Sequence, residues 1–262
     1  MTKLEVNAII NPLYKELNDE ILTLINAYDE INTYLAKGTR NSIKLATLSN
    51  GKTVAIKSFK MPNIINRYVY RFFRKPKARR SYLHAEKLIN LGFNTPAPVG
   101  YVEFTSKTRL KESYYVSELL NCDITYRELL TNQEYPNREE ILKQFTEFSF
   151  QLHEKGVEFL DHSPGNTLIK KVDDNRYEFY LVDLNRMKFH DHMNFSNRMK
   201  NLSHLTTNIQ DIEQMANHYA NLLGKNSKEV FTKLWLETIK FQFRFYKKKE
   251  IKLRLKKYIH NI

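Results

Sequence analysis

Along the first half of the chain the apolar positions switch between two rhythms. Residues 12–29 carry Leu13, Leu17, Leu24 and Ile25 at helical intervals, which predicts a helix with one apolar face. Residues 41–60 alternate instead, and Ser49-Asn50-Gly51-Lys52 breaks the alternation with a turn signal. A β-hairpin is therefore expected from Ile43-Lys44-Leu45-Ala46 and Val54-Ala55-Ile56-Lys57. Residues 77–91 return to the helical rhythm and stop at Gly92, with Pro96 and Pro98 beyond it. Two more strands fit residues 99–104 and 114–119. After residue 120 helical spacing dominates. Asn137 precedes Ile141, Phe145, Phe148 and Leu152 on one face, closed by Gly156. Short strands fit residues 157–160, 167–169 and 177–182, with a turn at Asp173-Asp174-Asn175, and helices fit 205–223 and 226–246. Strands with one helix, then helices with one small β insert, predict an α+β fold in two lobes, residues 1–120 and 121–262, joined near Leu120.

Composition narrows the class. Apolar residues make up 42% of the 262 and aromatics 13%, enough to bury a sizeable core and to argue against disorder. No internal repeat or low-complexity linker is present. The single cysteine, Cys122, excludes a disulfide framework and a cysteine-rich zinc site, so it is expected as a small buried hydrophobe in a reducing, intracellular setting. No apolar stretch is long enough to span a bilayer. The start, MTKLEVNAIINPLYKEL, has acids and an Asn-Pro where a secretory signal needs a continuous apolar region, so the expected location is cytoplasmic.

Charge adds a surface to this picture. The formal net charge is +13. Residues 67–80 hold seven bases and no acid, and residues 240–257 hold nine bases and one acid, Glu250. These segments contribute +7 and +8, which leaves the rest of the chain near neutral at −2. Aromatics are mixed in: Tyr68, Tyr70, Phe72 and Phe73 in the first, Phe241, Phe243, Phe245 and Tyr246 in the second. Basic residues among aromatic rings suit an anionic phospholipid surface. Nucleic acid is the alternative that such patches allow, and it is not the expected partner. A solvated basic helix face with inward aromatics is the plainer reading of the second segment.

The most informative stretch is Asp161-His162-Ser163-Pro164-Gly165-Asn166, followed by an apolar strand and, at the end of a second strand, Val182-Asp183. Two carboxylates and an amide oxygen make a hard oxygen donor set suited to Mg²⁺. Asp and Asn also form turns and caps in ordinary loops, but here all three follow an amphipathic helix in a fixed order. The layout is that of a kinase catalytic loop, D-x-x-x-x-N, with a metal-binding Asp after it. Asp161 is then the catalytic candidate, and Asn166 and Asp183 the metal candidates. Upstream, Val54-Ala55-Ile56-Lys57 matches the strand that presents a phosphate-binding lysine. Glu86, on the next helix with Tyr82 and Ile89 on the same face, can brace Lys57. Glu118 and Leu120 mark the stretch whose backbone could meet adenine.

Five segments stand out together: Lys77-Ala78-Arg79-Arg80-Ser81-Tyr82, Thr95-Pro96-Ala97-Pro98-Val99-Gly100-Tyr101, Leu152-His153-Glu154-Lys155-Gly156-Val157, Asp161-His162-Ser163-Pro164-Gly165-Asn166 and Phe179-Tyr180-Leu181-Val182-Asp183-Leu184-Asn185-Arg186. Through them the chain resembles, more narrowly, the bacterial lipopolysaccharide kinase family, the Kdo and core-heptose kinases of eukaryotic-like kinase fold. The resemblance covers about residues 35 to 220. It implies a two-lobed protein-kinase-like fold, ATP and Mg²⁺ as cofactors, and phosphorylation of a sugar hydroxyl on the lipid A core. The work site implied is the cytoplasmic face of the bacterial inner membrane, where the enzyme would be peripheral.

The departures from protein kinases are specific. Phe159 and Leu160 stand where those enzymes have His and Arg, Asp183-Leu184-Asn185 lacks the glycine of D-F-G, and no A-P-E follows. Control by phosphorylation of an activation loop is therefore not expected. The Gly-rich loop is reduced to Lys37-Gly38-Thr39-Arg40-Asn41, so Gly38 is the phosphate-contacting candidate, and Arg40 or Lys44 could compensate for the missing glycines. Rival readings are a kinase of a protein Ser/Thr or a small molecule, and a nucleotide-binding pseudokinase that works as an interaction module. The joint presence of Lys57, Asp161, Asn166 and Asp183 argues against the last.

Overall fold

A computed structural model describes residues 4–37, 41–59, 68–70 and 72–260. The expected nucleotide loop at Gly38 and Arg40 lies outside the described residues, as do Arg67 and Arg71 of the first basic segment. The chain forms two compact units, Met1–Cys122 with Tyr180–Arg186, and Asp123–Phe179 with Met187–Ile262.

The first unit is built on an antiparallel six-stranded sheet. Its strands are β1 (Glu5–Ile10), β2 (Tyr34–Lys37), β3 (Asn41–Thr47), β4 (Thr53–Phe59), β5 (Pro98–Thr105) and β6 (Leu110–Glu118), in the order β1-β5-β6-β4-β3-β2. The predicted hairpin is β3–β4, paired from Asn41↔Phe59 to Thr47↔Thr53. Gly51 takes φ +83° in its turn, a conformation that only glycine enters without steric cost. Strand β1 is an unforeseen addition, pairing Glu5↔Thr105 through Ile10↔Gly100. Residues 12–29 are not one helix. A 3₁₀ segment (Pro12–Leu17) precedes α1 (Asn18–Asn26), and the change of period rotates Leu13 outward, to 87% exposure, while Tyr14, Ile21 and Ile25 enter the core. That core also holds Val54, Ile56, Val99, Val102 and Val116.

Helix α2 (Lys77–Asn90) packs against the sheet through Ala78, Ser81, Tyr82, Ala85 and Leu88. Ile89, expected on that inner face, is exposed, because the buried stripe follows the i, i+3, i+4 positions from Ala78. The helix closes as the sequence suggests. Gly92 has φ +87°, and Phe93 N donates to Leu88 O at 2.9 Å.

The second unit contains β7 (Ile124–Thr125), α3 (Tyr126–Thr131), α4 (Arg138–Glu154), β8 (Val157–Phe159), β9 (Thr167–Asp173) and most of β10 (Arg176–Leu181). It continues with β11 (Met187–Phe189), α5 (Phe195–Leu202), α6 (Ile209–Leu223) and α7 (Ser227–His260). Its core centres on Phe145 of α4, stacked on Tyr126 at a ring separation of 4.0 Å and surrounded by Ile141, Leu142, Met199, Leu202, Ile212, Met215 and Tyr219. The Arg138 guanidinium meets Asp211 at 2.7 Å, a nearly enclosed pair that ties the start of α4 to the start of α6. Cys122 is half-buried rather than enclosed.

A division at 120/121 would leave Asp183 with the second part. The structure groups it with the first, because the chain returns there at Tyr180–Arg186. Tyr180 bridges Asn94, Leu181 N donates to Asn94 O at 3.1 Å, and Thr95 Oγ1 donates to Leu181 O at 2.8 Å.

Candidate active site

Alternation along β4 turns Val54 and Ile56 into the core and leaves Lys57 on the other face. The Lys57 ammonium, with its side chain only 13% exposed, lies 2.8 Å from Asp183 Oδ1 and 5.4 Å from the centre of the Phe59 ring. Asp183 adopts φ +61°, a left-handed backbone that is rare outside glycine and most tolerated by Asp and Asn. Its neighbours hold that conformation. Asn185 Nδ2 donates to Asp183 Oδ1, and His84 Nδ1 donates to Leu184 O at 2.6 Å. Because a carbonyl only accepts, the His84 ring carries its proton on Nδ1. Burial lowers its pKa below the ordinary value, which keeps that neutral form, although the bond to Leu184 pulls the other way. Strain of this kind persists where surrounding contacts enforce it, and such positions cluster at functional sites.

Glu86 does not brace Lys57 in the structure. Among the described residues the ion pair of Lys57 is with Asp183, and the Glu86 carboxylate accepts from Asn11 Nδ2 at 3.0 Å. Glu86 also faces Tyr82, whose phenol pKa is pushed up to about 12 by burial and then by that carboxylate. The partner asparagine sits just beyond β1, the strand that periodicity did not reveal. Lys44 is also committed elsewhere. Its ammonium is buried, donates to Tyr28 O at 2.8 Å and lies 4.6 Å from the Tyr28 ring centre, so it is a structural cation and does not compensate for missing glycines. Glu118 accepts from Tyr14 Oη at 2.7 Å and pairs with Lys52. Partial burial pushes its pKa up, but those partners outweigh burial and hold it below the usual carboxylate range. The amide of Leu119 is spent on Thr53 O at 2.9 Å, which leaves Leu120 as the next backbone position of that stretch.

In the second unit, Asp161 and Asn166 close one turn. Ser163 N and Asn166 Nδ2 both donate to Asp161 O, at 2.6 and 2.8 Å, and Pro164–Asn166 forms a 3₁₀ turn. With its amide nitrogen engaged inward, Asn166 keeps its oxygen as the remaining acceptor. Arg127, on α3, lies against this turn, since a Cβ placed on Gly165 would come within 2.8 Å of its guanidinium.

Beneath the turn lies a polar network that no motif announced. Asn201, on α5, donates to Phe159 O at 2.8 Å, while its Oδ1 receives His153 Nε2 at 3.1 Å and His162 Nδ1 at 3.2 Å. Tyr219 Oη completes His153 at 2.8 Å on Nδ1. Both rings are buried and kept neutral. Burial pushes the pKa of His153 down to about 4 and that of His162 to about 3. Neither is exposed enough to act as a base.

Among the described residues no group of three or more His, Cys, Asp or Glu is disposed to hold a metal. A carboxylate and an amide oxygen do not make such a group, yet they suit Mg²⁺, which binds through few protein oxygens and takes the remainder from phosphate and water. The Asp183 carboxylate in the first unit and the Asn166 amide oxygen in the second are each hard donors of the type that ion takes.

Residues 37–225 match the family profile described as the lipopolysaccharide kinase (Kdo/WaaP) family. The structure of WaaP in complex with acyl carrier protein superposes with a TM-score of 0.62 at 15% identity, covering 92% of this chain and 98% of that one. The Rio2 kinase–ADP/Mg²⁺–phosphoaspartate complex from Chaetomium thermophilum gives a TM-score of 0.47 at 15% identity, over 85% of this chain and 67% of that one. No curated protein sequence matches significantly. The fold is protein-kinase-like.

Proposed function

Because the chain belongs to the lipopolysaccharide kinase (Kdo/WaaP) family, we propose that it transfers the γ-phosphoryl group of ATP to a sugar hydroxyl, Kdo or heptose, in the inner core of lipopolysaccharide. The observation that carries this reading is the Lys57–Asp183 pair at 2.8 Å, with Asp183 held in a left-handed backbone by the residues around it. A buried-side lysine beside a pinned carboxylate is the combination that nucleotide phosphates and their counter-cation require.

The residues divide the work. Lys57 neutralises nucleotide phosphate oxygens. Asp161 orients the acceptor hydroxyl and takes its proton as the new oxygen–phosphorus bond forms and the bond to the ADP leaving group breaks. Proton transfer comes late, because the transition state is loose and needs little push from a base. Asn166 and Asp183 would hold Mg²⁺, which when bound supplies electrostatic relief to the phosphate oxygens. Arg127 gives the Asp161 turn a positive charge suited to an anionic acceptor. Glu118 and Leu120 line the adenine stretch, Gly38 contacts phosphate, and Glu86 ties α2 to Asn11 just beyond β1. Cells with and without the protein provide the test. Mass spectrometry of their lipid A core should find one phosphate missing when the protein is absent, and identical spectra would refute the assignment.

The acceptor is an anionic lipid, and the basic-aromatic segments suit the cytoplasmic surface that carries it. No helix among the described residues is long and apolar enough to cross a membrane. Helix α7 buries Val230, Leu234 and Thr238 in its first half, then exposes Phe243, Phe245, Tyr246, Ile251 and Leu253 among bases. We place this half on the anionic phospholipid surface, which makes the enzyme peripheral on the inner membrane.

A further inference from the structure

In protein kinases a lysine–glutamate ion pair ties a helix of the first lobe to the phosphate site, so the helix sets where the phosphate-binding groups stand. Here both partners are engaged elsewhere, Lys57 on Asp183 at 2.8 Å and Glu86 on Asn11 at 3.0 Å. Helix α2 still reaches the Asp183 segment, through a different residue. Two hydrogen bonds bracket Asp183 in the chain. Before it, Thr95 Oγ1, in the loop that follows α2, donates to Leu181 O at 2.8 Å. After it, His84 Nδ1, on α2 itself, donates to Leu184 O at 2.6 Å. Leu181 and Leu184 are both buried, where a carbonyl left without a donor is costly. All of these residues belong to the first unit.

The contacts of Asp183 differ in what they can fix. Asn185 Nδ2 donates to Asp183 Oδ1 from two residues away, so it moves with the segment it would have to hold. Lys57 arrives on a flexible four-carbon stem and follows the carboxylate wherever it points. The Thr95 bond and the Leu181 N–Asn94 O bond at 3.1 Å anchor the chain only up to Leu181. The left-handed turn at Asp183, φ +61°, comes after that anchor, and a non-glycine residue stays there only where its surroundings enforce it. His84 supplies the anchor on the far side. We infer that His84 is a positioning residue that couples α2 to Asp183: its ring N–H fixes the backbone that aims the Asp183 carboxylate at the counter-cation of a bound nucleotide. The cation role of Asp183 rests on the kinase reading, whereas the hold of His84 on Leu184 does not.

The test is calorimetric binding of the non-hydrolysable analogue β,γ-methylene-ATP to the full chain, once with excess Mg²⁺ and once with a chelator, so that nothing turns over. Lys57 and the adenine stretch contribute to both titrations, whereas Asp183 contributes through the cation. The ratio of the two dissociation constants therefore reads how well Asp183 is placed, and wild type is expected to bind more tightly with Mg²⁺. An Asn amide presents its N–H close to where Nδ1 of the ring stands, and a Gln amide carries it one methylene farther. His84→Asn should keep the Mg²⁺ enhancement within about twofold of wild type, and His84→Gln should cut it about tenfold, the worth of one hydrogen bond. Metal-free binding should stay within about twofold of wild type in both variants. Placed on Asp183→Ala, His84→Gln should change nothing further, because its effect passes through Asp183. The inference is overturned if His84→Gln keeps the wild-type enhancement, or if His84→Asn loses as much as His84→Gln. It is also overturned if metal-free binding falls by the same factor as binding with Mg²⁺, which is the mark of a merely structural role. In each of these cases wild type still binds the analogue with Mg²⁺, and the kinase reading stands. If wild type does not bind it at all, the kinase reading falls and the role of His84 falls with it.

Discussion

Asn201 meets two imidazoles and a backbone carbonyl at once, so its geometry fixes both tautomers. Its oxygen can only accept, so His153 carries a proton on Nε2 and His162 on Nδ1. His162 Nε2 is then a buried acceptor with no partner. Protonating either ring would put an uncompensated charge in the core. The folded-state pKa values lie below the ordinary value for histidine, so the unfolded chain binds these protons first as pH falls. Stability from this pair is present in full above about pH 6.5 and is lost progressively as pH drops toward 4 and then 3. Each histidine contributes a slope of about 1.4 kcal/mol per pH unit inside that window. Thermal melting between pH 8 and 4.5 should therefore fall on the acid side, and His162→Gln should flatten the curve. A melting temperature indifferent to pH across this range would contradict the network.

Periodicity and punctuation made the β3–β4 hairpin, α2, β5, β6 and α4 legible, along with the turn that joins Asp161 to Asn166. Each of these is specified by residues adjacent in the chain. Strand β1 was not, because its pairing partner lies far along the sequence and Ile9-Ile10 breaks its alternation. Helix α5 is short and half polar, so its single buried stripe has too few repeats to stand out, and Asn201 went unnoticed with it. Helix α7 runs 14 residues past the expected end at 246, because Lys, Arg, Leu and Glu all favour a helix and no glycine or proline stops it. The glycines offer a test of how strictly such punctuation is needed. Gly156 has φ +70°, and a Cβ there would sit 1.8 Å from the carbonyl oxygen of His190, a residue just past β11 whose amide donates to Gly156 O. Gly224 has φ +63° but open space around it. Gly156→Ala should cost roughly 4 kcal/mol in denaturant unfolding, and Gly224→Ala only about 1 kcal/mol. Equal costs would mean that backbone strain alone, and not the contact with His190, sets the requirement.

Across the whole chain, an overall charge of +13 concentrated in two segments is legible from composition alone, and what meets it is not. The sequence also indicated the residue types of the site while misassigning some of their partners. Glu86 answers to Asn11 and Lys44 to the Tyr28 carbonyl, contacts between distant segments that spacing cannot encode. For the membrane reading, Lys247, Lys248 and Lys249 on the exposed half of α7 are the sensitive positions. Changing all three to Gln should weaken binding to anionic vesicles by about 3 kcal/mol at low salt, on the basis of about 1 kcal/mol per base. Unchanged vesicle binding would remove α7 from the membrane surface. The central claim, that Asp161 serves phosphoryl transfer and not the fold, is tested by comparing wild type and Asp161→Ala for ATP affinity and for transfer of labelled phosphate to lipid A core. The account predicts an ATP dissociation constant within about twofold of wild type and transfer slower by about a thousandfold. Parallel loss of ATP binding and transfer, or transfer that survives the substitution, would contradict it.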